Sequence, residues 1–202
     1  VVPIRPRVPR ASSPRSAVIV PRTMKVRGLV ILGLVLAGCH SPGLYGHSQV
    51  YAPLSDEESA LERAKEYDPV MAQRTPDQWK GKTITLFGVV KSRHPGPGGN
   101  ADLALSVRTL EARNLCDTSD EDTCRVTVSD REHAAVHAHA RLSGDDDIGR
   151  KSVGAGSLVR VVGTLTDSVD ANDGAPVVKV TYVRHWPRDF YVTSADREHM
   201  RR

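Results

Sequence analysis

The spacing of apolar and polar positions changes character three times along the chain. Residues 1–23, VVPIRPRVPRASSPRSAVIVPRT, hold no periodic apolar pattern and no acidic residue, and their Pro- and Arg-rich composition reads as an unstructured segment. A dense apolar run then extends from Leu29 to Ala37. It is about half of the ~20 apolar residues that a bilayer-spanning helix requires, and it has the length of a signal-peptide core. After residue 54 a helical period, and then a period of two, takes over.

Ser55-Asp56-Glu57-Glu58 has the form of a capping box, which predicts a helix from Asp56 to Tyr67, ended by Asp68-Pro69. Thr75-Pro76-Asp77 opens a second short turn that delivers Trp79. From Lys82 onward KTITLFGVVKSR alternates as a strand, HPGPGGN is a loop, and ADLALSVRTLEAR places Leu103, Leu105 and Val107 on one face of a second strand. CRVTVSD, with Val126 and Val128 inward, is a third. REHAAVHAHARLSG is rich in helix formers and free of Gly or Pro until Gly144, which predicts a helix. LVRVVGTLTD and APVVKVTYVRHW, joined by the turn-forming SVDANDG, are the last two strands.

This order predicts a mostly β domain, a small five-stranded OB-fold-like Greek-key barrel with a helix between strands 3 and 4 and a short N-terminal helix. The expected organisation is an unstructured segment at 1–23, a signal peptide at 24–38, a tether at 39–53, a helical lead-in at 54–80, the barrel at 81–192 and a tail at 193–202.

Met24, Lys25 and Arg27 supply a basic start ahead of the apolar run, and Leu36-Ala37-Gly38-Cys39 follows it. The last four residues resemble the bacterial lipobox. That resemblance implies a diacylglycerol thioether on Cys39, cleavage before it, and acylation of the new N-terminus by a palmitate-like chain. Each buried methylene contributes about 0.8 kcal/mol, so three chains exceed what stable anchoring needs. Met24 also marks a start site that leaves residues 1–23 upstream; the alternative is a long N-terminal region removed with the signal. His40 and Ser41, with no Asp at the second mature position, resemble the pattern of outer-membrane sorting. The expected address is therefore the outer membrane, facing the periplasm, with the membrane as one partner and an envelope protein as a candidate second.

Cleavage changes the charge. Seven of the 28 Lys and Arg, and none of the 24 Asp and Glu, precede Cys39, leaving 21 against 24 and a mature net charge of −3. The basic isoelectric point near 9.1 belongs to the discarded segment. Nucleic acid is accordingly disfavoured as a partner, and the predicted second and third strands carry no aromatic residue on which bases could stack.

With Cys39 committed to lipid, Cys116 and Cys124 remain, and an even remainder in an exported chain predicts one disulfide. GKTITLFGVV, GSLVRVVGTL and APVVKVTYVRHWP are similar to stretches of the starvation-inducible outer-membrane lipoprotein family. What the resemblance implies is location and fold; it carries no catalytic residue over to this chain.

Candidate chemistry is sparse, and the expectation is a non-enzymatic binding or structural module without a cofactor. The competing reading is a metal-binding protein or metal-dependent enzyme using Asp130, His133 and His137. On a helix His133 and His137 would share a face, whereas His139 would point away. CDTSDEDTC and SGDDDIG are oxygen-rich but lack EF-hand spacing. VGAGS lacks the residues of a phosphate loop and reads as a turn into the fourth strand, and Ser157 is not in a G-x-S-x-G elbow. Trp186, Phe190 and Tyr191 gather aromatic surface near the C-terminus as a candidate partner contact.

Overall fold

A computed structural model describes residues 43–118 and 121–198; Cys39 and the signal-peptide region lie outside the described residues. The elements are α1 (Ser55–Leu61), β1 (Lys65–Glu66), α2 (Pro69–Arg74), α3 (Pro76–Trp79), β2 (Thr83–Pro95), β3 (Asn100–Arg108), β4 (Val126–Val128), β5 (Ala135–Arg141), β6 (Leu158–Val169), β7 (Pro176–Trp186) and β8 (Tyr191–Thr193). β2 pairs with β3, β3 with β5, β5 with β7 and β7 with β6, and β6 returns to β2 to close a five-stranded barrel. Every pairing within the barrel is antiparallel except β5 with β7. This is the connectivity of the OB-fold.

Alternate residues of each strand fill the barrel. Ile84, Leu86 and Val90 meet Leu103, Leu105 and Val107 from β3, Val136, Ala138 and Ala140 from β5, and Val159, Val161 and Val178 from the last two strands. Tyr67 and Trp79 join this core from the lead-in, their rings edge to face at 5.8 Å. A second core lies outside the wall, where Phe87, Leu158 and Trp186 pack with Val126 and Val128 of β4. β4 pairs in parallel with β8, which holds this outer ribbon in place.

The third barrel strand is β5, in the stretch expected to be a helix; the expected third strand, β4, lies outside the barrel. No α-helix stands between β5 and β6, where a 3-10 turn at Gly144–Asp146 is the only helical element described. The reason is in the pattern itself. Val136, Ala138, Ala140 and Leu142 alternate strictly with His137, His139 and Arg141; the first four are buried in the barrel, His139 and Arg141 are exposed, and this burial outweighs alanine's helix propensity. Small side chains on β5 also suit an interior already occupied by Leu103 and Leu105.

The lead-in departs from expectation as well. α1 stops at Leu61, and Asp68-Pro69 begins α2 rather than ending α1: Asp68 accepts the Met71 N–H at 3.0 Å and Pro69 occupies the first turn, where its missing N–H costs nothing. Ser55 does not cap α1; Glu57 reaches back to the Leu54 N–H instead. Residues 43–53, expected to be a free tether, lie against the protein, since Tyr45 and Tyr51 pack on the outer core and Asn114 donates to the carbonyls of Gly46 and Ser48. Beyond β8, residues Ser194–Glu198 form a 3-10 turn, with Asp196 accepting the Thr193 N–H at 2.8 Å. No described helix is long and apolar enough to cross a membrane.

Candidate functional site

Period two sends His137 and His139 to the same outer face of β5, next to Asp102 on β3, which stands opposite His139 in register. The β6–β7 hairpin loop curls over this face and brings Asp170 and Asp173. His137 Nδ1 lies 3.2 and 3.3 Å from the two Asp102 oxygens and 3.9 Å from Asp170 Oδ2, while Nε2 lies 3.3 Å from Asp173 Oδ2. His139 Nε2 is 3.7 Å from Asp102 Oδ1. Burial disfavours a charged His137, but the surrounding Asp102, Asp173 and Asp170 outweigh it and raise the imidazole above its usual value.

The loop carboxylates are fixed by their own backbone. Asp170 Oδ1 accepts the Asn172 N–H at 2.8 Å and Asp173 Oδ1 accepts the Ala175 N–H at 2.9 Å. The first of these bonds is the main reason Asp170 sits below the usual aspartate range, with the positive charge on His137 adding to it. Each residue thus uses one oxygen to shape the loop and turns the other toward His137.

The expected grouping of Asp130, His133 and His137 does not form. Four residues along a strand span about 13 Å, so a spacing that shares a helix face separates two strand side chains. His133 precedes β5 and pairs with Thr109 Oγ1 at 3.1 Å, and Asp130 offers its backbone to Ser194 and Arg108. His137 keeps its place in a cluster, but with partners distant in sequence. His139, expected to point away, flanks it.

Two further polar clusters were not visible in the sequence. Glu57 has no exposed surface; its carboxylate accepts from Tyr51, from Arg160 at 2.8 Å and from Arg184 at 2.7 Å. Burial opposes the charge on Glu57, but the bonds from Tyr51, Arg184 and Arg160 override it and hold the carboxyl below its ordinary value. The Tyr51 phenol is pushed well above its usual range by burial and by Glu57. Arg184 also donates to the Leu44 carbonyl at 3.0 Å and lies over the Trp186 ring at 4.6 Å. This network fastens residues 43–52 and α1 to β6 and β7.

The other cluster joins Ser157 Oγ to His185 Nε2 at 3.1 Å and His185 Nδ1 to Asp146 Oδ1 at 3.0 Å. The order is that of an acyl-transfer relay. However, Ser157 is buried, and its oxygen accepts the Gly154 N–H of the VGAGS turn. A cavity of about 530 Å³ is bordered by His185 and Asp146 but not by Ser157, whose hydroxyl therefore does not reach the space a substrate would occupy. The cluster ties the 144–157 connection to β7. Asp147 is likewise engaged by Arg93, so two of the three SGDDDIG aspartates serve internal bonds.

Cys116 and Cys124 are disulfide-bonded. Trp186 is fully enclosed and donates its indole N–H to the Tyr45 carbonyl, so it presents nothing to a partner, contrary to expectation. Phe190 and Tyr191 are half-buried. Phe190 lies against Tyr45 at 4.3 Å, and the Tyr191 hydroxyl donates to the Gly156 carbonyl.

The fold and its outward clusters define a small OB-fold-like module. No protein-family model matches the chain, and no curated protein is significantly similar to it.

Proposed function

We propose that the chain is an exported, lipid-anchored cell-envelope protein whose barrel acts as a non-enzymatic binding or structural module on the periplasmic side of the outer membrane. The observation that carries this reading is the Cys116–Cys124 disulfide, which leaves Cys39 as the only one of three cysteines outside it. Disulfides persist in oxidising compartments, and Cys39 stands at the end of a signal-length apolar run behind a basic start. The resemblance of the stretches forming β2, β6 and β7 to the starvation-inducible outer-membrane lipoprotein family points the same way. β3 and β5, the second and third barrel strands, have no aromatic residue, which weighs against single-stranded nucleic acid as the ligand. Fractionation of a bacterial host tests the address. The wild-type chain is expected in the outer-membrane fraction, released by detergent and not by salt, with Cys39→Ser in the soluble fraction; identical partitioning of the two would overturn the reading.

A further inference from the structure

We infer that Asp102, His137 and Asp170 form a binding site for a single divalent transition-metal ion of the Zn²⁺ class, with Asp173 holding the imidazole from behind. One ligand atom from each of the first three residues lies within 4.8 Å of the others. A tetrahedral ion with bonds of about 2.0–2.2 Å holds its ligands about 3.3–3.6 Å apart, close to the Nδ1 separations of 3.2 Å from Asp102 and 3.9 Å from Asp170. One imidazole nitrogen and carboxylate oxygens are a donor set suited to zinc-like ions rather than to soft thiophilic ones.

A second observation points to an ion rather than to an accidental meeting of acids. Metal-binding histidines donate their remote N–H to a carboxylate, which fixes the tautomer and the ring orientation. Asp173 Oδ2, 3.3 Å from Nε2, occupies that position, so that loss of the Nδ1 proton on binding would free that nitrogen for an ion shared with Asp102 and Asp170. The backbone bonds to Asp170 Oδ1 and Asp173 Oδ1 preset both loop side chains without consuming the oxygens that face His137.

Among the described residues, the ion-pair partners of Asp102, Asp170 and Asp173 are histidines, His137 and His139. Glu57 is matched by two arginines and Asp147 by Arg93, whereas no lysine or arginine forms an ion pair with Asp102, Asp170 or Asp173 among the described residues. With a neutral imidazole, a divalent ion cancels the charges of Asp102 and Asp170 and leaves Asp173 on the remote N–H. The His137 side chain is only 10% exposed.

The inference supplies a ligand class for the binding module and rests on that reading only for its biological setting, because metal uptake and lipid attachment are read separately. The test is calorimetric titration of Zn²⁺ into the full-length, chelator-stripped protein in detergent at neutral pH, for the wild type, His137→Ala and Asp170→Asn. Asparagine retains the oxygen that accepts the Asn172 N–H, so the second variant keeps the loop. One ion per chain is expected, with affinity weakened at least tenfold in each variant. Circular dichroism reports folding; if His137→Ala is unfolded, Asp170→Asn alone decides. Absence of saturable binding by the wild type, or unchanged affinity in folded variants, would overturn the site. In that case the cluster is an imidazolium clamp on the hairpin loop.

Discussion

Glu57 joins parts of the chain separated by 103 and 127 residues, through Arg160 and Arg184. Breaking a buried ion pair from one side leaves charge without compensation and costs about 3–5 kcal/mol. Glu57→Gln, which strands both guanidiniums, is expected to lower unfolding stability by about that amount at pH 7 in urea titrations. The pH dependence follows from the depressed carboxyl. Its stabilisation is complete above the ordinary glutamate value of 4.5 and is lost as pH falls through the lower folded value, so the gap between wild type and variant should narrow in acid. A gap that persists unchanged in acid would assign the loss to packing rather than to charge. None of this was legible in the sequence, where Glu57 reads only as part of a helix start. Asp102 was equally invisible as a partner of His137, because their meeting depends on strand register. Cys116 and Cys124, close in sequence, needed no such knowledge.

Among the elements, β2, β3, β6 and β7 were legible because their branched apolar residues alternate over long stretches. β5 was not, since three of its seven residues are alanine and composition masked the alternation. β4 has a strand's sequence but sits outside the barrel; three residues cannot reveal which edge they pair with. Gly163 lies where β6 comes close to the backbone of β7, at a register shift next to Val162. A Cβ there would lie 2.4 Å from the Lys179 carbonyl oxygen and 2.8 Å from Val180 Cα, both backbone atoms that move only with the strand. Gly163→Ala is therefore expected to destabilise the barrel by about 1–3 kcal/mol or more, seen as a lower denaturation midpoint with unchanged slope. A neutral effect would show that the β6–β7 contact is looser than its geometry indicates.

On the scale of the molecule, two cores and one polar network hold residues 43–53 and α1 against a closed barrel, while the β6–β7 loop folds back over β5 and turns its aspartates toward His137. The barrel order survived the misplaced helix because β5 took the place expected for β4. Both readings give five strands in the same chain order. A lipid on Cys39 and a disulfide between Cys116 and Cys124 are the two covalent marks the account requires, and one measurement reads both: the intact mass of the protein purified from the membrane fraction under non-reducing conditions. The account predicts a chain beginning at Cys39, heavier by its acyl groups and lighter by the two hydrogens of one disulfide. An unacylated mass that retains the residues before Cys39, or three free thiols, would contradict it.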